Sequence, residues 1–152
     1  MAFVDVVKPV TTMVGESMSS PDRPIIVDID GDGGILPARV ATPLAVVLNE
    51  LLQNASDHAY PPVIDLVDAP GRVRVEIKRE GDTLRLDVVD DGVGLPGGFE
   101  LEKSTGLGLS IVRTLVTTEL SGTITVSNGA GPPDRPGTVV ALAIHIDEEE
   151  PP

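Results

Sequence analysis

The chain has 152 residues, the size of one ordinary domain, and carries 11 Lys plus Arg against 24 Asp plus Glu, a formal net charge of −13. That balance repels phosphate backbones and anionic bilayers, so no nucleic-acid or lipid-binding face is expected, and an anionic ligand has to be held locally by backbone N–H groups, a metal ion or a few cations. The absence of Cys excludes disulfides, thiolate zinc sites and cysteine nucleophiles, and one Tyr plus two Phe are too few for single-strand stacking platforms.

In chain order, Phe3, Val6, Val7, Val10, Val14 and Met18 recur at helical spacing, which predicts a short helix or helical lead-in over 3–18, with Pro9 as a point of interruption. Ser19-Ser20-Pro21-Asp22 ends it, and Pro24–Ile29 reads as a strand. Thr42-Pro43 supplies an N-cap residue and a first-turn proline, predicting a helix from there to Ala59 that Tyr60-Pro61-Pro62 stops. Residues 63–71 read as loop. Arg72–Arg79 then alternates, Val73, Val75 and Ile77 against charged neighbours, and Leu84, Leu86 and Val88 repeat the pattern after Glu80-Gly81-Asp82: a hairpin with one wet face. Asp90–Thr105 is Gly-rich and irregular, a second major helix is predicted over about 106–119 with Gly122 as its C-cap, and Thr123–Ser127 and Thr138–Ile146 are the last strands. The predicted fold is α+β: a two-layer sandwich of about three helices on a mixed, mostly antiparallel five-stranded sheet. Residues 1–20 read as the lead-in, 21–146 as the domain proper and 147–152 as a disordered acidic tail.

Several segments carry polar patterns that chemistry could use. Asp28-Ile29-Asp30-Gly31-Asp32-Gly33 imitates the opening of a calcium loop, but the twelfth position is Arg39 and a strand precedes it, so an acidic turn is the better reading. On the helix predicted over 43–59, Leu44, Leu48, Leu51, Leu52, Ala55 and Ala59 form the apolar side, while Glu50, Asn54 and His58 share another stripe. That stripe is either a solvated face or one side of a magnesium–phosphate site, with Asn54 offering a carbonyl oxygen, Glu50 positioning a nucleophile or water, and His58 approaching a phosphate. Val88-Val89-Asp90-Asp91-Gly92-Val93-Gly94 ends a strand on an acid able to accept a hydrogen bond from an exocyclic amino group, followed by glycines that admit a flat ligand; an ordinary Asp-Gly turn is its plain alternative. Ser104-Thr105-Gly106-Leu107-Gly108-Leu109 places glycines at a helix N-terminus, whose free N–H groups and dipole favour an anion, without the lysine of a P-loop or the preceding strand of a Rossmann unit.

Taken in order, helical Glu-x-x-x-Asn-x-x-x-His, strand-end Asp-x-Gly-x-Gly and Gly-x-Gly opening a helix resemble the Bergerat ATP-binding fold shared by gyrase, Hsp90, MutL and histidine kinases, over about residues 25–146. The chain is most similar to the catalytic domain of sensor histidine kinases: Asn49–Ala59 resembles the N box, Asp90–Gly94 the G1 box with Asp91 where Asn is more usual, Ser104–Val112 the G2 box, and Gly137-Thr138 the Gly-Thr pair opening the last strand. Within that family it is similar to actinobacterial sensor kinases of the PdtaS type. The resemblance implies ATP and Mg²⁺ as ligands. Asp90 would bind the adenine amino group, with Gly92 and Gly94 by the ring, and Thr138 would support the pocket. Asn54 would be the magnesium ligand and Glu50 the catalytic or water-orienting acid. Thr105, Gly106, Leu107, Gly108 and Leu109 would line the phosphates, with His58 or Lys103 as a cation. Leu95–Thr105 would be a short lid whose sole aromatic is Phe99.

The resemblance also implies an ATP-dependent transfer of the γ-phosphoryl group to a histidine on a dimerisation/phosphoacceptor segment, with a response regulator as partner. Neither His58, inside the N-box helix, nor His145, in the last predicted strand, resembles that acceptor, so the chain reads as a catalytic domain cut from a larger kinase, monomeric and unable to autophosphorylate alone. An anti-sigma-factor serine kinase of the same fold and a non-catalytic nucleotide- or partner-binding module are the competing readings. No apolar run approaches the roughly 18 residues of a membrane span, and Met1-Ala2-Phe3-Val4-Asp5 has no signal-peptide character, so a cytoplasmic location without membrane contact is expected.

Overall fold

Val73, Val75 and Ile77 on one strand and Leu84, Leu86 and Val88 on its neighbour are all buried, which gives the sheet a dry face that the rest of the chain covers. The structure, a computed structural model, describes residues 2–62, 64–99 and 107–146. Its elements are α1 (Val4–Met18), β1 (Ile25–Asp30), α2 (Ala38–Asn54) continued by a π-helical turn (Ala55–Ala59), β2 (Gly71–Glu80), β3 (Thr83–Asp90), α3 (Leu107–Thr114) continued by a second π-helical turn (Leu115–Glu119), β4 (Thr123–Asn128) and β5 (Thr138–His145). The strands form one sheet in the order β1-β2-β3-β5-β4, in which β1 and β2 are parallel and the other three pairs antiparallel. Three helices on a mixed, mostly antiparallel five-stranded sheet is the expected α+β sandwich.

α2 lies between α1 and α3 and is the centre of the helical layer. Its Leu44, Leu48 and Leu52 are fully buried and share one core with Leu84, Leu86, Leu142 and Ile144 of the sheet. α1 joins the same core through Val7 and Val14, and Phe3, just ahead of it, is fully buried with its N–H bonded to Gly34 O at 3.0 Å. The opposite face of the sheet is wet and mixed in charge: Arg74 Nε meets Glu76 Oε1 at 2.7 Å, and Lys78 Nζ meets Glu80 Oε1 at 3.3 Å. Asp28 and Asp30 lie on β1 and Asp32 Oδ1 accepts the Gly34 N–H at 3.0 Å, so the calcium-like segment is an acidic turn after a strand.

Three features of the helices differ from the sequence expectation, each for a packing reason. α1 runs through Pro9 without a break: the proline sits in the second turn, where it removes one hydrogen bond, and the buried stripe Val7, Thr11, Val14 spans it. α2 begins at Ala38, a turn before Thr42-Pro43, because Leu36, Val40 and Ala41 are all fully buried. Pro37 is the N-cap, its backbone extended at φ −60 and ψ 147, and its carbonyl accepts N–H bonds from Val40 and Ala41, each at 3.0 Å. Finally, the left-handed residue after the second π turn is Ser121 (φ 49), not Gly122. Gly122 answers a different need, since a Cβ there would stand 2.6 Å from Ala143 O on β5.

Because Leu52 is fully buried where α2 meets the sheet, Leu52→Ala is expected to cost about 2–5 kcal/mol of unfolding free energy. Urea denaturation should show this as a lower midpoint with an unchanged slope.

Candidate functional site

The last turns of α2 present one stripe, Leu51, Asn54, Ala55, His58 and Ala59, to a cavity of about 760 Å³ on the helical side of the sheet. The opposite walls are Val88 and Asp90 at the end of β3, Val126 of β4, and Thr138 and Val140 at the start of β5. Gly94, Leu95, Pro96, Gly98 and Phe99 close one end and Leu109 of α3 the other. A mostly apolar cleft of this volume with a few convergent polar groups suits a small organic ligand.

Asp90 sits on the floor of this cleft. Its Oδ1 accepts the Gly92 N–H at 2.9 Å and the Thr138 N–H at 3.2 Å, which fixes the plane of the carboxylate. Burial pushes the Asp90 carboxyl above its ordinary range, and the charge of Asp91 pushes the same way, while the two backbone N–H bonds pull against them. The turn that follows is packed tightly: a Cβ on Gly92 would lie 2.2 Å from Ala59 O, and Val93 N–H donates to that same carbonyl at 2.9 Å. Gly92 therefore serves contact between protein segments, not the approach of a ligand. Asn128 Oδ1 holds the root of the next loop through Leu95 N–H at 2.8 Å.

Of the residues singled out from the sequence, Asn54, His58, Asp90, Gly94, Leu109 and Thr138 line the cavity together. Glu50 lies one helical turn before Asn54, half-buried and outside the lining. Leu107 and Gly108 open α3. Lys103, Thr105 and Gly106 lie outside the described residues, as does the 147–152 tail. Among the described residues, Asn54 Nδ2 is buried with no hydrogen-bond partner. An orphaned amide beside a cavity is a group that a ligand must satisfy, and a 180° turn of that amide exchanges its donor for its carbonyl oxygen. It therefore fits either a phosphate oxygen or a cation bound to one.

The profile of the "histidine kinase-, DNA gyrase B-, and HSP90-like ATPase" family matches residues 39–149. The chain belongs to that family. It is 43% identical over 129 residues to the sensor histidine kinase PdtaS of Mycobacterium tuberculosis, covering 85% of this chain and 24% of that protein. To PdtaS of Mycolicibacterium smegmatis it is 44% identical over 131 residues, with the same shares covered. The chain thus spans about a quarter of the length of these relatives (24%). Among solved structures, the histidine kinase domain of the Erythrobacter litoralis EL346 blue-light activated kinase shares the fold at a TM-score of 0.80 and 24% identity, over 96% of this chain and 62% of that one. The matched residues 39–149 take in every described residue lining the cavity.

Sequence reasoning missed the residues that hold this cleft from behind. Tyr60 reads only as part of a helix stop and Arg135 as part of a Pro/Gly loop, yet both bond to Asp91. Burial and the Asp91 carboxylate hold the Tyr60 hydroxyl far above the ordinary tyrosine range, so it remains a donor. The one available signal was Asp91 itself, a second carboxylate next to Asp90 that needs a counter-group.

The raised Asp90 carboxyl has a consequence for stability. A carboxyl whose folded pKa exceeds its unfolded value favours folding fully only below the unfolded pKa, and that contribution is lost as pH rises through the folded one. Asp90→Asn removes the ionisation while keeping an oxygen for Gly92 and Thr138. Its melting temperature relative to the parent is therefore expected to rise from pH 4 to pH 7, measured by thermal unfolding at both.

Proposed function

We propose that this chain is the ATP-binding catalytic module of a sensor histidine kinase, acting in the cytoplasm, and that it passes the γ-phosphoryl group of ATP to a histidine on a dimerising phosphoacceptor segment, from which a response regulator takes it. The observation that supports this best is Asp90: a single carboxylate on the floor of an apolar cleft, its Oδ1 occupied by two backbone N–H groups. That leaves its other oxygen to accept a hydrogen bond from the adenine amino group. The apolar walls, Leu51, Ala55, Val88, Val126 and Val140, suit the faces of a purine. The family relationship and the kinase relatives point the same way.

In this reading Asn54 and His58 face the phosphates, and the N-terminus of α3, opened by Leu107 and Gly108, turns free backbone N–H groups toward them. Leu109 lies on the cavity wall near them, and Thr105, Gly106 and Lys103 would contact the phosphates in the same reading. Asn54 is the residue placed to hold Mg²⁺, which when bound neutralises charge on the phosphate oxygens. The incoming imidazole nitrogen bonds to the γ-phosphorus as the bond to the β,γ-bridging oxygen breaks, and ADP leaves. Glu50, one turn before Asn54, accepts a hydrogen bond from the imidazole N–H and orients the ring. In this reading the chain alone is monomeric and does not autophosphorylate, the acceptor histidine being supplied by another segment: His58 stands on the cavity wall as a cation for the phosphates and His145 is exposed on β5. Among the described residues no helix is long and apolar enough to cross a membrane.

A calorimetric titration with MgATP tests the reading. The parent should bind saturably, and Asp90→Asn should weaken binding by about 10- to 100-fold, the worth of one hydrogen bond to a charged group. No binding by the parent overturns the proposal. Glu50→Gln should retain MgATP affinity and lower phosphoryl transfer by about 10²-fold or more once a phosphoacceptor domain is supplied. Unchanged transfer, followed as labelled phosphohistidine, would remove Glu50 from the mechanism.

A further inference from the structure

Behind the cavity, three separate stretches of chain meet at one carboxylate. Asp91 Oδ1 accepts the Tyr60 hydroxyl at 2.6 Å and the Arg72 N–H at 2.8 Å, and it stands 3.1 Å from Arg135 Nη2 in an ion pair. Arg135 is itself partly buried, its side chain 16% exposed. It donates from Nε to the Asp91 carbonyl at 2.9 Å and from Nη1 to Ala69 O at 3.0 Å, and its guanidinium lies 5.9 Å from the centre of the Tyr60 ring. Arg72 O lies 3.0 Å from the same hydroxyl, whose one proton is shared between the two acceptors with Asp91 the nearer.

The loop that presents Arg135 is built to be stiff. Pro132, Pro133 and Pro136 fix their own φ angles, and the loop is cross-tied by Arg135 N–H to Pro132 O at 2.9 Å and Gly131 N–H to Pro136 O at 3.1 Å. Such a loop offers the planar guanidinium fork in one orientation, so little entropy is lost in forming its bonds.

The position of this cluster gives it an effect on the ligand. Tyr60 directly follows the π turn that carries His58 and Ala59 to the cavity wall. Asp91 directly follows Asp90. Arg135 lies just before Gly137 and Thr138, and Gly137 N–H donates to Gly92 O at 2.9 Å. The two N–H groups that orient the Asp90 carboxylate, those of Gly92 and Thr138, thus belong to two of the segments the cluster ties together.

We propose that Tyr60, Asp91 and Arg135 are positioning residues that aim the Asp90 carboxylate and thereby set the preference of the site for a base carrying an exocyclic amino group. The proposal rests on the adenine-nucleotide reading above and adds to it the residues that enforce base choice without touching the base. Loss of the clamp frees the turn at Gly92 and the start of β5 to shift, and the direction of one carboxylate oxygen degrades more than the apolar walls do. A nucleotide that uses that oxygen suffers; one that does not is spared.

Inosine triphosphate makes the distinction, because it has the phosphates and purine faces of ATP but a carbonyl in place of the amino group. Affinities for MgATP and MgITP are measured by calorimetry for the parent, Arg135→Ala, Arg135→Lys and Tyr60→Phe, with circular dichroism to confirm folding. The parent should prefer ATP. Arg135→Ala should weaken ATP by about tenfold and ITP by less than about twofold, so the ratio collapses. Arg135→Lys restores the charge but not the three-point fork, so its ratio should fall between the two. Tyr60→Phe removes only the hydroxyl and keeps the buried ring, so it decides the matter even where Arg135→Ala fails to fold; a fewfold drop in the ratio is expected. Equal weakening of ATP and ITP, or no weakening in folded variants, overturns the clamp while leaving the adenine site intact. A parent that binds neither nucleotide, or both equally, overturns the adenine reading and the clamp with it.

Discussion

Two backbone N–H groups converge on one oxygen of Asp90, and the rest of the site is arranged around that convergence. Gly92 reaches it from the turn after β3, Thr138 from the first residue of β5. The pairing Asp90↔Thr138 is the last rung of the β3–β5 ladder, so the regular sheet delivers the second donor without any special loop. The first donor requires the chain to turn back at once, which brings Gly92 against the carbonyl of Ala59 at the end of the helix. Strand, turn and helix end are therefore fixed relative to one another by the same few atoms that orient the carboxylate. The geometry of the ligand site is a by-product of closing the fold there.

A chain with a net charge of −13 that binds a polyphosphate meets an electrostatic difficulty, and the layout shows how it is eased. The acidic and basic side chains of the sheet pair with one another on the wet face, away from the cavity, as Arg74 with Glu76 and Lys78 with Glu80. The cavity is lined mainly by apolar groups, with Asp90 the one carboxylate among its described lining residues. In such a place the directed dipoles of backbone N–H groups and one amide count for more than distant surface charge, which salt screens over about 8–10 Å. The exposed carboxylates of the sheet bear on solubility and encounter more than on the local field in the cavity.

The fold was legible because its strongest signals are periodic. The alternation in Arg72–Arg79 and Leu84–Val88 specifies a two-sided hairpin, and the Leu44, Leu48, Leu51, Leu52 stripe specifies the helix laid across it; both were readable from residue type alone. What the sequence misplaced were boundaries. Thr42-Pro43 is a sound local start signal, but burial of Val40 and Ala41 outweighs it. Gly122 reads as a cap because glycine usually serves one, whereas here the crowding of Ala143 O makes the demand. In the site, Asn54 and His58 were legible from one helix stripe and Asp90 and Gly94 from a strand-end turn, while Thr138 came only from the resemblance to the family's Gly-Thr pair; all five line the cavity. Tyr60 and Arg135 were not, because 74 residues of intervening chain separate them and only the closed sheet brings them to Asp91.

The identity of residue 91 follows from this arrangement. An asparagine there would still accept the Tyr60 hydroxyl and the Arg72 N–H through its side-chain oxygen, so those two bonds do not require a charge. Arg135 does. Its guanidinium is partly buried over a tyrosine ring, and a cation withdrawn from water is favoured by a counter-charge beside it. Asp91 and Arg135 are therefore one choice and not two: a site that ties its β5 loop with an arginine must put a carboxylate at 91. The cost is a second negative charge beside Asp90, which adds to burial in raising that carboxyl. In return its Oδ1 joins the turn after β3 to the first residue of β5, and the oxygen that the backbone leaves unbonded is kept for a donor group on a ligand in the cleft.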